Sequence, residues 1–327
     1  MGNDVILDVR DLKTYFSTDE GIVKAVDGVF FQLHRGETLG LVGESGSGKS
    51  VTNLSVMKLI PSPPGRIVGG KALFRDENIF DMPNDQIRKL RGNSISMIFQ
   101  DPMTSLNPFL RISTQLIETI ELHQELDYKS AENKAVEMLR KVGIPSPEKR
   151  IRDYPHQFSG GMRQRVMIAI ALSCNPQILI ADEPTSALDV TIQAQILELI
   201  QQLTRELGTA VIMITHDLGV VAGMCDVVCV MYAGRIVEKA TAFDLFKDPK
   251  HPYTRGLIKS VPRLDRASAG RLHSIKGQPP NLVNLPECCP FHPRCDSVME
   301  ICRNKYPPNE ELGEQRMVNC WLYSRGR

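Results

Sequence analysis

Gly43-Glu44-Ser45-Gly46-Ser47-Gly48-Lys49-Ser50 is the stretch on which the fold turns. It fits G-x-x-x-x-G-K-[ST] and stands between a short apolar run, Glu37 to Val42 (ETLGLV), and a segment of helical character, Ser50 to Ile60 (SVTNLSVMKLI). A strand, a glycine loop and a helix in that order make a phosphate cradle. The glycines let backbone N–H groups close around phosphate oxygens, and the helix N-terminus favours their negative charge. Lys49 is placed to reach the β and γ phosphates, and Ser50 to offer its hydroxyl to Mg²⁺. The candidate nucleotide segment therefore comprises Gly43, Glu44, Ser45, Gly46, Ser47, Gly48, Lys49, Ser50 and Val51. A chance glycine turn would meet the pattern without the flanking strand and helix.

A second apolar run, Ile178-Leu179-Ile180-Ala181, ends in Asp182-Glu183. This puts two carboxylates at the C-terminal end of a strand, where ligands of open α/β sheets bind. Asp182 is expected to hold Mg²⁺ through water, and Glu183 to act as general base on the attacking water. Alone, the pair reads equally well as solvated acids capping a strand. Together with the glycine loop it reads as the second half of a nucleoside triphosphatase. The guanine-recognition pattern N-K-x-D is absent, which favours ATP over GTP.

The rest of the chain fits an α/β protein. Further β-like runs at 210–215 and 227–231 follow an amphipathic helix marked by Ile192, Ile196, Leu199, Ile200 and Leu203. Such alternation predicts a parallel sheet. Short β-like pieces fill 71–100, ending in Ser96-Met97-Ile98-Phe99. A mostly helical insertion is expected over about 101–176, with Ala135, Met138, Leu139 and Val142 on one helix face. At roughly 150 residues per domain, 327 residues suggest two domains. Lys plus Arg number 39 against 38 Asp plus Glu, so no bulk field recommends nucleic acid or an acidic membrane surface. No apolar run approaches the ~18 to 20 residues of a membrane helix. Asp4, Asp8 and Asp11 stand where a signal peptide would be basic and then apolar, and Ile6 spoils a myristoylation pattern at Gly2. A cytoplasmic chain is expected.

Phe158-Ser159-Gly160-Gly161-Met162-Arg163-Gln164-Arg165 resembles the signature motif of ABC ATPases. Physically it is a second phosphate grip at a helix start, with backbone N–H groups and the Ser159 hydroxyl, although the same residues suit an ordinary N-cap. Other elements of that family stand in order: Gln100 after Met97 to Phe99, Ser186-Ala187-Leu188-Asp189 after Glu183, and His216 after 210–215. The resemblance implies a RecA-like parallel-sheet core, an antiparallel β subdomain and a helical subdomain. It implies ATP sandwiched between two cassettes, with Ser159, Gly160 and Gly161 completing the site of the facing one. It makes Gln100 a sensor of Mg²⁺ and of the membrane partner, Asp189 a link across the dimer, and His216 a contact to the γ-phosphate. Phe16, or Tyr15 beside it, matches the aromatic residue that stacks on adenine.

Gln100-Asp101-Pro102-Met103-Thr104-Ser105-Leu106-Asn107-Pro108, Tyr154-Pro155-His156-Gln157 and His251-Pro252-Tyr253-Thr254 narrow the resemblance to the ATP-binding subunits of dipeptide and oligopeptide importers. Such importers imply two membrane permeases, a second cassette that is this chain or a similar one, an external binding protein, and a place on the cytoplasmic face of the inner membrane. Nickel, glutathione and oligosaccharide importers share these features. A soluble ABC ATPase of DNA repair fits less well, because the insertion is short and the net charge near zero. A translation-associated ABC ATPase would carry two cassettes.

Composition shifts after Asp248-Pro249, so the cassette is expected to span 1–263 and a Cys-rich appendage 264–327. Five of eight cysteines fall in that tail. Cys289, Cys295, Cys302 and Cys320 give C-x5-C-x6-C-x17-C, with Cys288 as an alternative to Cys289. Structural zinc favours closer cysteine pairs, so the wide gaps favour a [4Fe-4S] cluster. Similar tails in peptide-importer ATPases point the same way. Zinc, with His292, and free structural thiols are the alternatives. Cys174, Cys225 and Cys229 read as buried small hydrophobes.

Overall fold

A computed structural model describes residues 5–186, 188–260, 274–283 and 285–324. Ala187, in the Ser186 to Asp189 segment, and most of the expected domain junction around 263 lie outside the described residues. The chain divides into two compact units: His34–Glu37 with Asp81–Ile214, and Val5–Leu33, Thr38–Phe80 and Thr215–Arg327 together.

The second of these carries the glycine loop. Its antiparallel sheet has the order β2-β1-β4-β5, made of β1 (Val5–Thr18), β2 (Gly21–His34), β4 (Gly65–Phe74) and the short β5 (Glu77–Asn78). The β1–β4 register slips between Arg10 and Thr14, where Asp11 takes φ 46°, so side-chain alternation changes phase mid-strand. Strand β3 (Thr38–Val42) runs parallel to β9 (Val227–Tyr232). Both are buried along their length, which is why they read as continuous apolar runs. β10 (Arg235–Thr241) returns antiparallel to β9, β12 (Arg316–Val318) pairs with β10, and β11 (Glu310–Gly313) with β12. The tail from 274 onward is therefore not a separate appendage. Its strands extend the sheet of β9 and β10, and Val283 bridges to Val23. Helices α1 (Lys49–Val56), α9 (Leu218–Met224), α10 (Ala242–Lys247), α11 (Pro252–Ser260) and α12 (Glu300–Asn304) complete the unit. Helix α1 stops before Ile60, the end the sequence suggests, because Lys58 turns to φ 50° ahead of Pro61.

In the other unit, β6 (Ile95–Ile98), β7 (Ile178–Asp182) and β8 (Ala210–Thr215) form a parallel run. The insertion between β6 and β7 is helical as expected: α3 (Pro102–Ser105), α4 (Ile112–Gln124), α5 (Tyr128–Lys141), α6 (Pro147–Arg150) and α7 (Gly160–Leu172), with α2 (Asn84–Leu90) preceding β6. Helix α4 buries Ile112, Leu116, Ile117 and Ile120, and α5 buries Ala131, Ala135, Met138 and Leu139, each along one stripe. Helix α7 differs, with Val166, Met167, Ile168, Ala169, Ala171 and Leu172 buried in succession. It packs against α3, α4, α5, β6 and α8 (Val190–Leu207), so its run from Val166 to Leu172 is apolar on every side. Helix α8 buries Ile196, Ile200, Leu203 and Thr204 and ends at Gly208 in a left-handed C-cap. No helix among the described residues is long and apolar enough to cross a membrane.

Candidate functional site

Strand β3 delivers the chain to Gly43, whose φ of 156° and position leave no room for a side chain: a Cβ there would lie 2.2 Å from the Met231 carbonyl oxygen. Gly48, the N-cap of α1 at φ 103°, is equally constrained, since its Cβ would lie 2.4 Å from the Ala25 carbonyl oxygen. Between them the loop arches over Lys49. The Lys49 ammonium, 6% exposed with its residue, donates to the carbonyl oxygens of Gly43 (2.8 Å) and Glu44 (2.9 Å). The Ser47 carbonyl accepts from the Gly234 N–H at the β9–β10 turn. Ser45 and Gly46 form the exposed tip, while Ser50 and Val51 continue α1. His216 joins Gly43, Glu44 and Leu218 in lining an open pocket of about 360 Å³.

The two aromatic candidates on β1 have different partners. The Tyr15 hydroxyl donates to Asp27 (2.7 Å), which also accepts from Arg235 (2.6 Å). Burial, then the bond to Asp27, pushes the Tyr15 hydroxyl up to about 12. Burial alone would raise the Asp27 carboxyl, but the bonds from Tyr15 and Arg235 hold it below its usual range. Phe16 stands opposite Gly65, its ring so near that a Cβ on Gly65 would lie 2.7 Å from it.

In the helical unit, Gln100 and Glu183 come together: the Gln100 amide donates to the Glu183 carboxylate at 3.0 Å. Asp182 closes β7 and is buried. Glu183 then turns at φ 45°, its N–H donating to the Ile214 carbonyl and its own carbonyl accepting from Ser186. A non-glycine residue in this region is strained, and such strain gathers where a side chain must be aimed. Ser159 caps α7, its hydroxyl accepting from the Met162 N–H (3.3 Å), and both Ser159 and Gly160 are exposed. Gly161 packs against Ile192 of α8. Asp189 caps α8 through the Ile192 N–H (3.0 Å). The N-cap reading of Ser159 is therefore correct as geometry.

Residues 26–186 match the ABC transporter family, and residues 237–302 match the oligopeptide/dipeptide transporter C-terminal region. The oligopeptide transport ATP-binding protein OppD of Escherichia coli strain K12 is 54% identical over 318 residues, 97% of this chain and 93% of that one. The chain belongs to the family of oligopeptide and dipeptide transport ATP-binding proteins. The dipeptide transport ATP-binding protein DppD of Bacillus subtilis is 51% identical, over 97% of this chain and 94% of its own. A solved dimeric ATP-binding cassette in a post-hydrolysis state, bound to ADP and Pi, has a TM-score of 0.65 at 26% identity and covers 72% of this chain and 98% of its own. The enzyme is an ABC-type ATPase.

Further side chains around the loop come from residues that the motif does not contain. Tyr253, inside the His251-Pro252-Tyr253-Thr254 stretch, accepts the Glu44 N–H on its hydroxyl (2.8 Å). His251 fixes it, accepting the Tyr253 N–H on Nδ1 (3.0 Å), and the buried Glu238 carboxylate accepts the N–H groups of Lys250 and His251. Arg294 reaches the Glu44 carboxylate from the tail. The stretch around Tyr253 is legible in the sequence only as a resemblance, and Arg294 carries no sequence signal.

All eight cysteines are free thiols. Cys174, Cys225 and Cys229 are buried, as expected. Cys289, Cys295, Cys302 and Cys320 lie near one another: burial pushes the Cys289 thiol up to about 12 and the Cys320 thiol to about 11, and the neighbouring thiols add to both. The Cys289 N–H donates to the Cys302 carbonyl. Cys288 turns instead toward His292, whose Nδ1 lies 3.7 Å from its sulfur. Among the described residues, however, no group of three or more His, Cys, Asp or Glu side chains is placed to hold a metal ion, so the expected metal centre is not formed as the side chains stand.

Proposed function

We propose that this ATPase is the motor subunit of an importer that carries di- and oligopeptides through partner permeases. The observation that carries the proposal is identity above 50% over nearly the whole chain, tail included, to peptide-transport ATP-binding proteins. In this reading the loop from Gly43 to Val51 binds the phosphates, Lys49 neutralises them, and Phe16 stacks on adenine. Tyr15 is committed to Asp27, which supports Phe16 in that role. Glu183, oriented by Gln100, accepts a proton from the attacking water, and His216 contacts the γ-phosphate. The oxygen donors Ser50, Asp182 and Gln100 suit Mg²⁺, which supplies charge neutralisation on the phosphates when bound. Ser159, Gly160 and Gly161 serve a facing cassette, a copy of this chain or a similar one. Exposed Phe99 stands just before, and exposed Phe109 within, the segment 101–110 that would meet a permease on the cytoplasmic face of the inner membrane. An external binding protein would supply the cargo.

Cysteine sulfur is a soft ligand suited to iron and sulfide, and the tail brings four such residues near one another. We extend the proposal to a [4Fe-4S] cluster on Cys289, Cys295, Cys302 and Cys320, acting as a structural staple. Anaerobic purification with iron, sulfide and zinc assays tests it; stoichiometric zinc without sulfide overturns it. For the main proposal, the tagged chain is purified from gently solubilised membranes. Recovery of two polytopic permeases and a second ATPase, with loss of peptide uptake on deletion, is expected. Recovery of soluble or DNA-associated partners alone overturns it.

A further inference from the structure

The phosphate loop contains an acidic residue, Glu44, which ought to work against it. A carboxylate at the second position of a loop that gathers triphosphate oxygens repels them in the partly desolvated site where charges act most strongly. The side chain is not left to solvent. Both oxygens of Glu44 are gripped by the guanidinium of Arg294, at 2.7 and 2.9 Å, in a two-pronged pair. The Arg294 side chain is 4% exposed and that of Glu44 26%. Two further Arg294 donors are used: Nη1 also reaches the Tyr232 hydroxyl (3.2 Å) and Nε the Lys276 carbonyl (3.0 Å). The guanidinium lies over the rings of Tyr232 and Phe291, and these two rings pack with Tyr253, whose hydroxyl accepts the Glu44 N–H. Main chain and side chain of Glu44 are thus held by one aromatic and cationic cluster, most of it from the C-terminal part of the chain.

We propose that the C-terminal segment is a positioning element for the phosphate loop, in which Arg294 neutralises Glu44 and turns its carboxylate away from the phosphates while Tyr253 fixes its N–H. Arg294 is a positioning residue: it acts on the nucleotide through Glu44. A second contact from the same segment reaches the other end of the site. The Tyr306 ring lies 4.0 Å from the Arg235 guanidinium, which pairs with Asp27 and, through it, Tyr15 beside Phe16.

This inference rests on the ATP-site reading above, so the experiment separates the two. Binding of a fluorescent ATP analogue with Mg²⁺ is measured on the purified full chain and on Lys49→Ala, Arg294→Met, Arg294→Lys and the double variant Arg294→Met/Glu44→Gln. Arg294→Met, which leaves Glu44 charged and loose, is expected to raise the Kd about tenfold, with the gap narrowing at high salt. Arg294→Lys keeps the charge and is expected within about threefold of wild type, which covers the case where Arg294→Met does not fold. The double variant removes both charges and is expected to return to within about twofold. That rescue is something a purely structural role for Arg294 would not give. Wild-type affinity in Arg294→Met, or a double variant as weak as the single one, overturns the proposal. Equal binding by wild type and Lys49→Ala overturns the ATP-site reading and the brace with it.

Discussion

In the proposed ATP site, the phosphate loop and the C-terminal segment act by opposite means. The loop works through backbone within eight consecutive residues, so its requirements are glycines at fixed offsets and one lysine. The C-terminal segment works through side chains at long range: Arg294 meets Glu44 across 250 positions and Tyr253 meets it across 209. A backbone cradle tolerates almost no substitution and is directly tied to chemistry. A side-chain brace tolerates change wherever its charge or packing is kept, and its failure is felt as affinity or stability. Loss of the general-base carboxylate in the motif segments should therefore cut turnover in a protein that still folds, and substitutions in the C-terminal cluster should shift stability or affinity while leaving the chemical step intact.

The largest test of that contrast is Glu183→Gln. Hydrolysis is expected to fall about 10³-fold, within the range for loss of a general base, with ATP binding and the unfolding midpoint near wild type. The Gln100 contact can persist through the new amide oxygen. Normal turnover would remove Glu183 from the mechanism and weaken the distinction between the two regions. Next is Lys49→Ala, which in the proposed site removes a charged donor to the phosphates. The Kd for ATP should rise about 10- to 100-fold, the equivalent of one or two hydrogen bonds to a charged group. Because Lys49 also bonds the Gly43 and Glu44 carbonyls, stability should drop by only about 1 kcal/mol. A collapse of the fold instead would make the loop a scaffold as much as a site, and would blur the comparison.

What can be read in the sequence follows the same division. The loop, Asp182-Glu183 and the strands 178–182 and 210–215 are legible because each is contiguous and its burial makes an uninterrupted apolar run. The long strand β1 is not, because the bulge at Asp11 breaks the period-two signal. Helix α7 hides its period because Val166 to Leu172 is apolar without a break, and only the Ser159 cap marks its start. The short strand β12 joins β10 through two residue pairs, Glu238 with Val318 and Lys239 with Met317. No local pattern announces such a partner, so the tail reads as a separate piece. Arg294 and Glu44 are each unremarkable where they stand, and only the fold makes them a pair.

The smallest effect sharpens the other side of the comparison. His251 is 2% exposed, and burial, aided by the nearby Arg255 charge, lowers its pKa to about 3. Unfolded, it titrates near 6.5. Between these values the unfolded chain binds a proton that the folded one does not, so acidification favours unfolding. Its stabilising contribution is complete above about pH 6.5 and is lost progressively as the pH falls toward 3. Glu238 beneath it runs the other way, since burial raises its carboxyl and its contribution grows on acidification. The wild-type slope is the sum of such groups, so the difference from His251→Gln isolates the histidine. In urea unfolding, the wild type should lose about 2 kcal/mol more than His251→Gln between pH 7.5 and pH 5. The Kd for ATP at pH 7.5 should move little in this variant if the introduced amide oxygen still accepts the Tyr253 N–H. Parallel slopes would mean that His251 gains no protection on folding. A large rise in Kd at unchanged stability would place His251 with the loop, as part of the binding machinery.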